Sequence, residues 1–175
     1  MSRLLAFVLV MGIVTVNTLS AAPATGEQAL TVAFLYNFLK FTEWPTGALN
    51  GELTLCVTDN APFGSELDAI SGRSAQNKTV RVKRIELGES PGGCQLLFLP
   101  REEKPVRIRE WLTNTANTPT LMVSNVEEFL DMGGMIVLIA DGNRLQFEVN
   151  MAQVKPSGLK LSAQLLKIAK NVRGN

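Results

Sequence analysis

The chain has no histidine. Catalysis by Ser-His-Asp or Cys-His pairs, histidine-bound zinc and histidine-ligated haem are therefore excluded, and so is the usual switch at physiological pH. Two thiols, Cys56 and Cys94, are too few to make a metal site alone. In an oxidising compartment an even count suggests a bridge. The alternative is two buried, reduced thiols. A bridge between them would close a long loop, worth about 4 kcal/mol by the chain-entropy estimate. Asp59 follows a predicted strand, where α/β domains often bind ligands, but Thr-Asp-Asn-Ala-Pro reads first as turn chemistry. Glu102-Glu103 beside Lys104 reads as acidic charge favoured at a helix start. Asn150 suits a local cap or hydrogen bond. Gly88 to Gly93 lacks the strand–Gly-x-Gly-x-x-Gly–helix order and the Walker lysine, and there is no Gly-x-Ser-x-Gly elbow. These absences disfavour an enzyme, and no cofactor or metal is expected.

The elements that would carry any site begin with a leader. Arg3 makes a short positive region, Leu4 to Val16 is an apolar run of 13 residues, and Ser20, Ala21, Ala22 and Ala24 are small. This is the layout of a secretory signal peptide over residues 1–24, and the run is too short to span a bilayer. Residues 25–175 are long enough for one domain with a real core. Arg3 is the only charge in the leader, so the remainder carries 16 Lys+Arg against 16 Asp+Glu. Such a neutral domain has no electrostatic footprint for nucleic acid, and Arg81, Lys83 and Arg84 read as a solvated strand face.

Half of the ten aromatic residues beyond the leader lie between Ala33 and Pro45. Phe34, Phe38 and Phe41 fall at i, i+4 and i+7, one stripe of a helix, with Leu30 a turn earlier and Leu35 and Leu39 in a second row. Tyr36 adds further apolar surface; Thr31, Asn37 and Lys40 give a thin polar side. Trp44-Pro45 ends the helix, since a residue before proline leaves the helical region. So apolar a helix must be buried, in its own domain or against a partner. Strands follow at Leu53 to Thr58, Thr79 to Leu87, Leu96 to Leu99 and Leu121 to Val123. A short helix carries Leu67 and Ile70 and stops at Gly72. Others run over Pro105 to Asn114, with proline tolerated at the start, and from a Ser124 or Asn125 cap past Phe129 to Gly133-Gly134. Met135 to Ala140 and Arg144 to Val149 flank Asp141-Gly142-Asn143, a hairpin signal. A last helix is expected from Ser162 to Val172. Alternating strands and helices predict an α/β domain: a mostly parallel sheet with helices on both faces and a C-terminal antiparallel hairpin at one edge.

Three blocks of this sequence carry a resemblance. The first is the Ala33–Pro45 segment with Phe34, Tyr36, Asn37, Phe38, Phe41, Trp44 and Pro45. The second is Leu55-Cys56-Val57 with Cys94-Gln95-Leu96-Leu97-Phe98-Leu99. The third is Gly133-Gly134-Met135-Ile136, Phe147-Glu148-Val149-Asn150 and Gly158 to Leu166, including Leu159, Leu165 and Leu166. In this order after a signal peptide they resemble the YfiR family of periplasmic proteins, over essentially the whole chain beyond the leader. The resemblance implies a periplasmic, non-catalytic regulator. It would bind the periplasmic sensor domain of an inner-membrane diguanylate cyclase, or of a kinase, and repress it. Cyclic-di-GMP, biofilm and exopolysaccharide output would fall. It also implies a homodimer, release of repression by an outer-membrane lipoprotein, and a core disulfide at Cys56 and Cys94. The second cysteine pair of the well-known repressor is absent, so redox sensing through it is not available. The alternative is a periplasmic small-molecule-binding module with its pocket at the carboxyl ends of the strands near Asp59 and Phe63.

Overall fold

The computed structural model describes residues 26–49, 51–86, 88–142 and 144–174. The expected signal peptide, Leu87 and Asn143 lie outside them. Helix α1 spans Gly26–Phe41 and runs directly into the two-residue strand β1, Thr42–Glu43. The helix thus stops three residues before Trp44-Pro45. Strand β2 is Glu52–Thr58, β3 Ser74–Ala75, β4 Lys78–Ile85 and β5 Leu96–Leu99. Helix α2, Pro105–Asn114, is followed by β6, Leu121–Ser124. A 3-10 turn at Glu127–Leu130 leads to β7, Ile136–Asp141, and β8, Arg144–Asn150. The chain closes through α3, Met151–Val154, a 3-10 turn at Lys155–Ser157, β9, Lys160–Leu161, α4, Ala163–Ile168, and β10, Asn171–Arg173.

Eight strands form one sheet in the order β10-β8-β7-β6-β5-β2-β4-β3, and β1 with β9 forms a separate antiparallel ladder. The strands from β4 to β7 run parallel. β3 is antiparallel to β4, β8 is antiparallel to β7, and β10 adds in parallel outside β8. The sheet is therefore mixed. This corrects the expected mostly parallel sheet with helices on both faces, and β10 takes the edge expected for the hairpin. Helical cover is uneven: α1 packs on β2, β5 and β8 and meets α4, whereas α3 and α4 are four and six residues long.

The physical reasons lie in particular residues. The expected final helix stops early because the Lys170 backbone N–H donates to the Phe147 carbonyl and residues 171–173 pair with β8. The Leu67–Ile70 stretch is a run of turns rather than a helix, and the Phe129 segment is 3-10. The β3–β4 hairpin turns through Gln76 (φ 51°) and Asn77 (φ 60°), both left-handed, as a tight twisted hairpin requires. The Gln76 side chain donates to the Leu39 and Thr42 carbonyls, 2.6 and 2.7 Å away, closing the end of α1. Asparagine tolerates this conformation but glutamine rarely adopts it, so the turn carries no simple sequence signature.

Cys56 and Cys94 are bridged, with Cα atoms 5.7 Å apart, inside the range a disulfide accepts. Cys56 lies in β2 and Cys94 just ahead of the neighbouring β5. Beside them Gln95 accepts from the Thr54 N–H at 2.7 Å and donates to the Ala48 carbonyl at 3.1 Å, and Trp44 Nε1 donates to the Gln95 carbonyl at 3.2 Å.

Candidate functional site

The two outer signature blocks, far apart in sequence, are folded onto each other. Thr42 pairs with Leu161 and Glu43 with Lys160 in the β1–β9 ladder. The Ser162 N–H donates to the Phe41 carbonyl, while its hydroxyl accepts from Leu165 N–H as the cap of α4. Gly158 takes φ +76°, and a Cβ there would lie 3.5 Å from the Pro45 ring. Phe38 meets Phe147 edge-on with ring centres 5.2 Å apart, and Phe34 touches both, at 6.0 Å from Phe38 and 5.9 Å from Phe147. These spacings suit favourable edge-to-face pairs.

On α1 the inward rows are Thr31, Val32, Leu35, Phe38 and Leu39. Thr31 is thus buried, against the expectation of a polar side. Phe34, Tyr36 and Phe41 are only half-buried. Phe34 and Phe41 instead line an open apolar groove of about 290 Å³ between α1, β8 and α4, together with Phe38, Phe147, Leu165 and Ile168. Asn37 and Gln164 supply its polar edge. Ile168 is 70% exposed, a large apolar side chain left in solvent at the groove's mouth. Tyr36 points the other way: its hydroxyl donates to the Ser74 carbonyl at 2.7 Å, and Arg73 and Lys40 lie over its ring. Leu159 and Leu165 are core and Leu166 is half-buried. Asn150 is buried and donates to the Leu130 carbonyl at 3.4 Å. Trp44 and the cysteines belong to the β2–β5 junction, away from the groove.

A second site lies at the carboxyl ends of β2 and β5. The chain leaves β2 for β4 on one side, and β5 lies on the other, so this is where the strand order reverses. A cavity of about 310 Å³ opens there, lined by Thr31, Phe63, Phe98, Arg101, Glu102 and Asn125 among others. Phe63 packs on Phe98 at 5.3 Å, Arg101 pairs with Glu27, and the Arg101 N–H donates to Asn125 at 2.7 Å. Asp59 is paired with Arg107 at 3.1 Å, and Arg107 Nε lies 3.1 Å from the buried Glu103 carboxylate. The other Glu103 oxygen has no hydrogen-bond partner among the described residues. Glu103, which reads in sequence as simple helix-start charge, is thus a buried anchor for α2. Only its place two residues ahead of Pro105 hinted at that. No group of three or more potential metal ligands occurs among the described residues.

The described residues thus form a mixed-sheet domain stapled by one disulfide, with an open apolar groove on one side of α1. The chain belongs to the YfiR/HmsC-like family, whose model matches residues 28–170. Membership supports a regulatory, non-catalytic role in the periplasm. The Cys56–Cys94 bridge fits an oxidising compartment, and among the described residues no helix is long and apolar enough to cross a membrane. The fold is similar to a crystal structure of a conserved domain protein from Vibrio cholerae O1 biovar El Tor. The TM-score is 0.58 at 8% identity, over 85% of this chain and 60% of that one. The chain thus spans about three-fifths of the length of that structure.

Proposed function

We propose that this protein is a periplasmic repressor that binds the sensor domain of an inner-membrane diguanylate cyclase and lowers cyclic-di-GMP. The observation that carries the reading is the groove. The first and last signature blocks converge on it, and leave Phe34, Phe41 and Ile168 partly open to solvent. A binder moves a signalling equilibrium only through its differential affinity for the two states of its partner; an unfilled apolar site can supply that difference. A homodimer and an outer-membrane lipoprotein that removes the repressor complete the scheme. The test is co-purification with the periplasmic domain of a cyclase encoded nearby, and cyclic-di-GMP measured after deletion of the gene. Complex formation and a rise in cyclic-di-GMP are expected. No complex and an unchanged level would sink the proposal.

The cavity at the carboxyl ends of β2 and β5 favours a second reading, a small-molecule-binding module feeding a signalling system. Its position at a strand-order reversal is where open α/β sheets bind ligands. A thermal-shift screen tests it: a ligand at a hundredfold excess over Kd stabilises by about 2.7 kcal/mol. Silence across metabolite classes would argue against it.

A further inference from the structure

We infer that the groove between α1 and α4 docks an acidic amphipathic segment of a partner protein, an apolar side chain entering the groove and carboxylates meeting a lysine rim. This rests on the reading of the groove as the partner surface, and adds the chemistry of what fills it. The charge is the argument. The domain as a whole is neutral, yet residues 151–174 contain five basic residues and no acidic one. Of these five, Arg173 alone has an ion-pair partner among the described residues, Asp131 at 2.8 Å. Lys160, Lys167 and Lys170 are exposed: Lys167 on α4, which frames the groove, Lys160 on β9 just ahead of α4, and Lys170 just beyond the end of α4. Lys167 precedes Ile168 on α4. The Lys170 backbone bonds the carbonyl of Phe147, whose ring lines the groove. Lys40 joins them from α1, its Nζ 5.6 Å from the centre of the Phe41 ring. Against them stand Glu43, opposite Lys160 in the β1–β9 ladder, and Glu148, which follows Phe147 on β8. The groove is thus apolar, and the segments next to it carry an excess of positive charge.

That pattern matches helix-in-groove recognition, where apolar anchors set affinity and flanking charge sets partner choice. A concave site of about 290 Å³ accepts one large side chain, such as Phe or Leu. A bilayer surface would instead need protruding apolar residues, and among the described residues Ile168 is the one exposed large apolar side chain that lines the groove.

The test uses the whole secreted protein and two synthetic amphipathic peptides with the same Leu/Phe spine. One carries Glu and the other Lys at every polar position. Fluorescence anisotropy is expected to show the acidic peptide binding about tenfold tighter, with the gap closing as salt rises. The double substitution Lys40→Glu/Lys167→Glu reverses the preference. Ile168→Asp weakens the acidic peptide at unchanged melting temperature. Equal affinity for the two peptides, no binding of either, or indifference to Ile168→Asp overturns the inference. So does tighter binding to phosphatidylglycerol vesicles than to the acidic peptide. The cyclase sensor domain separates this from the functional proposal. If the sensor domain binds the wild type and the Lys40→Glu/Lys167→Glu variant equally, the repressor reading stands and the lysine rim is wrong. If it binds neither while the acidic peptide binds as expected, the partner is wrong and the groove chemistry stands.

Discussion

At the junction of β2 and β5, apolar surface and hydrogen-bonding groups alike find partners within the chain. Cys56 and Cys94 are joined, and the Gln95 side chain serves Thr54 on one side and Ala48 on the other. The Gln95 carbonyl accepts from Trp44 and from the Leu121 N–H. Leu55, Val57, Leu96 and Leu97 are fully buried there. Between α1 and α4 the same kinds of side chain are left unfinished. Phe38 and Phe147 are buried, but Phe34 and Phe41 are half-buried and Ile168 stands 70% exposed. The first region closes on itself, and the second leaves apolar surface open to solvent. On the proposal that the groove is the partner surface, the junction governs stability and the groove association, and substitutions in the two should separate cleanly.

The largest effect is expected at the junction. Cys56→Ser should lower unfolding free energy by about 4 kcal/mol, since the bridge closes a loop with a sequence separation of 38. Urea unfolding of the variant against the oxidised wild type measures this. A loss below about 1 kcal/mol would mean the bridge adds little to a junction already held by its hydrogen bonds. Two reactive thiols in the native protein would contradict the bridge itself.

Next comes Phe38→Ala, at about 3 kcal/mol. The ring is fully buried, but it borders the groove, so solvent and the neighbouring rings can partly fill the space it leaves. That puts the loss at the low end for a buried aromatic. Phe34→Ala, on the open side of the same cluster, should cost clearly less. Equal losses in denaturant melts would show that the groove is closed in solution.

Gln95→Leu should cost about 1–3 kcal/mol, because it strips the Thr54 N–H of the Gln95 side-chain oxygen, its acceptor at 2.7 Å, and leaves the Ala48 carbonyl without its donor. A melting curve indistinguishable from wild type would mean that water replaces both contacts.

What could be read from the sequence divides along the same line. The aromatic helix, strands β2 and β4 to β8, and the cysteine pair all carry local signals: periodicity, β-rich runs and residue parity. The groove was only half visible. Phe34, Phe38 and Phe41 form one stripe on a helical wheel, and nothing in that spacing says that two of them stay half-exposed while Thr31 is buried. That depends on where α4 ends. The apolar spacing of Leu165, Ile168, Ala169 and Val172 is good helix pattern, yet pairing of 171–173 with β8 overrides it. Strand addition at a sheet edge is a long-range event, invisible to a local window. The same event puts β10 outside β8 and makes the sheet mixed. Glu103 is hidden in the sequence for a different reason: an acidic residue before a helix has an adequate local explanation, and its buried carboxylate is matched by Arg107 one turn later.

The smallest effect on stability is the one that best sharpens the contrast. Ile168→Ser removes an apolar side chain that is already 70% in water, at the last position of α4, where it supports little of the core. Its unfolding free energy should stay within about 0.5 kcal/mol of wild type. Its affinity for a partner should fall, because the side chain lies at the mouth of the groove and would be buried only in the complex. The two numbers must move apart: a full melting temperature beside weakened capture of the sensor domain. If Ile168→Ser lowers stability by as much as Phe34→Ala, the residue is packed in the free protein, and the groove is part of the core after all.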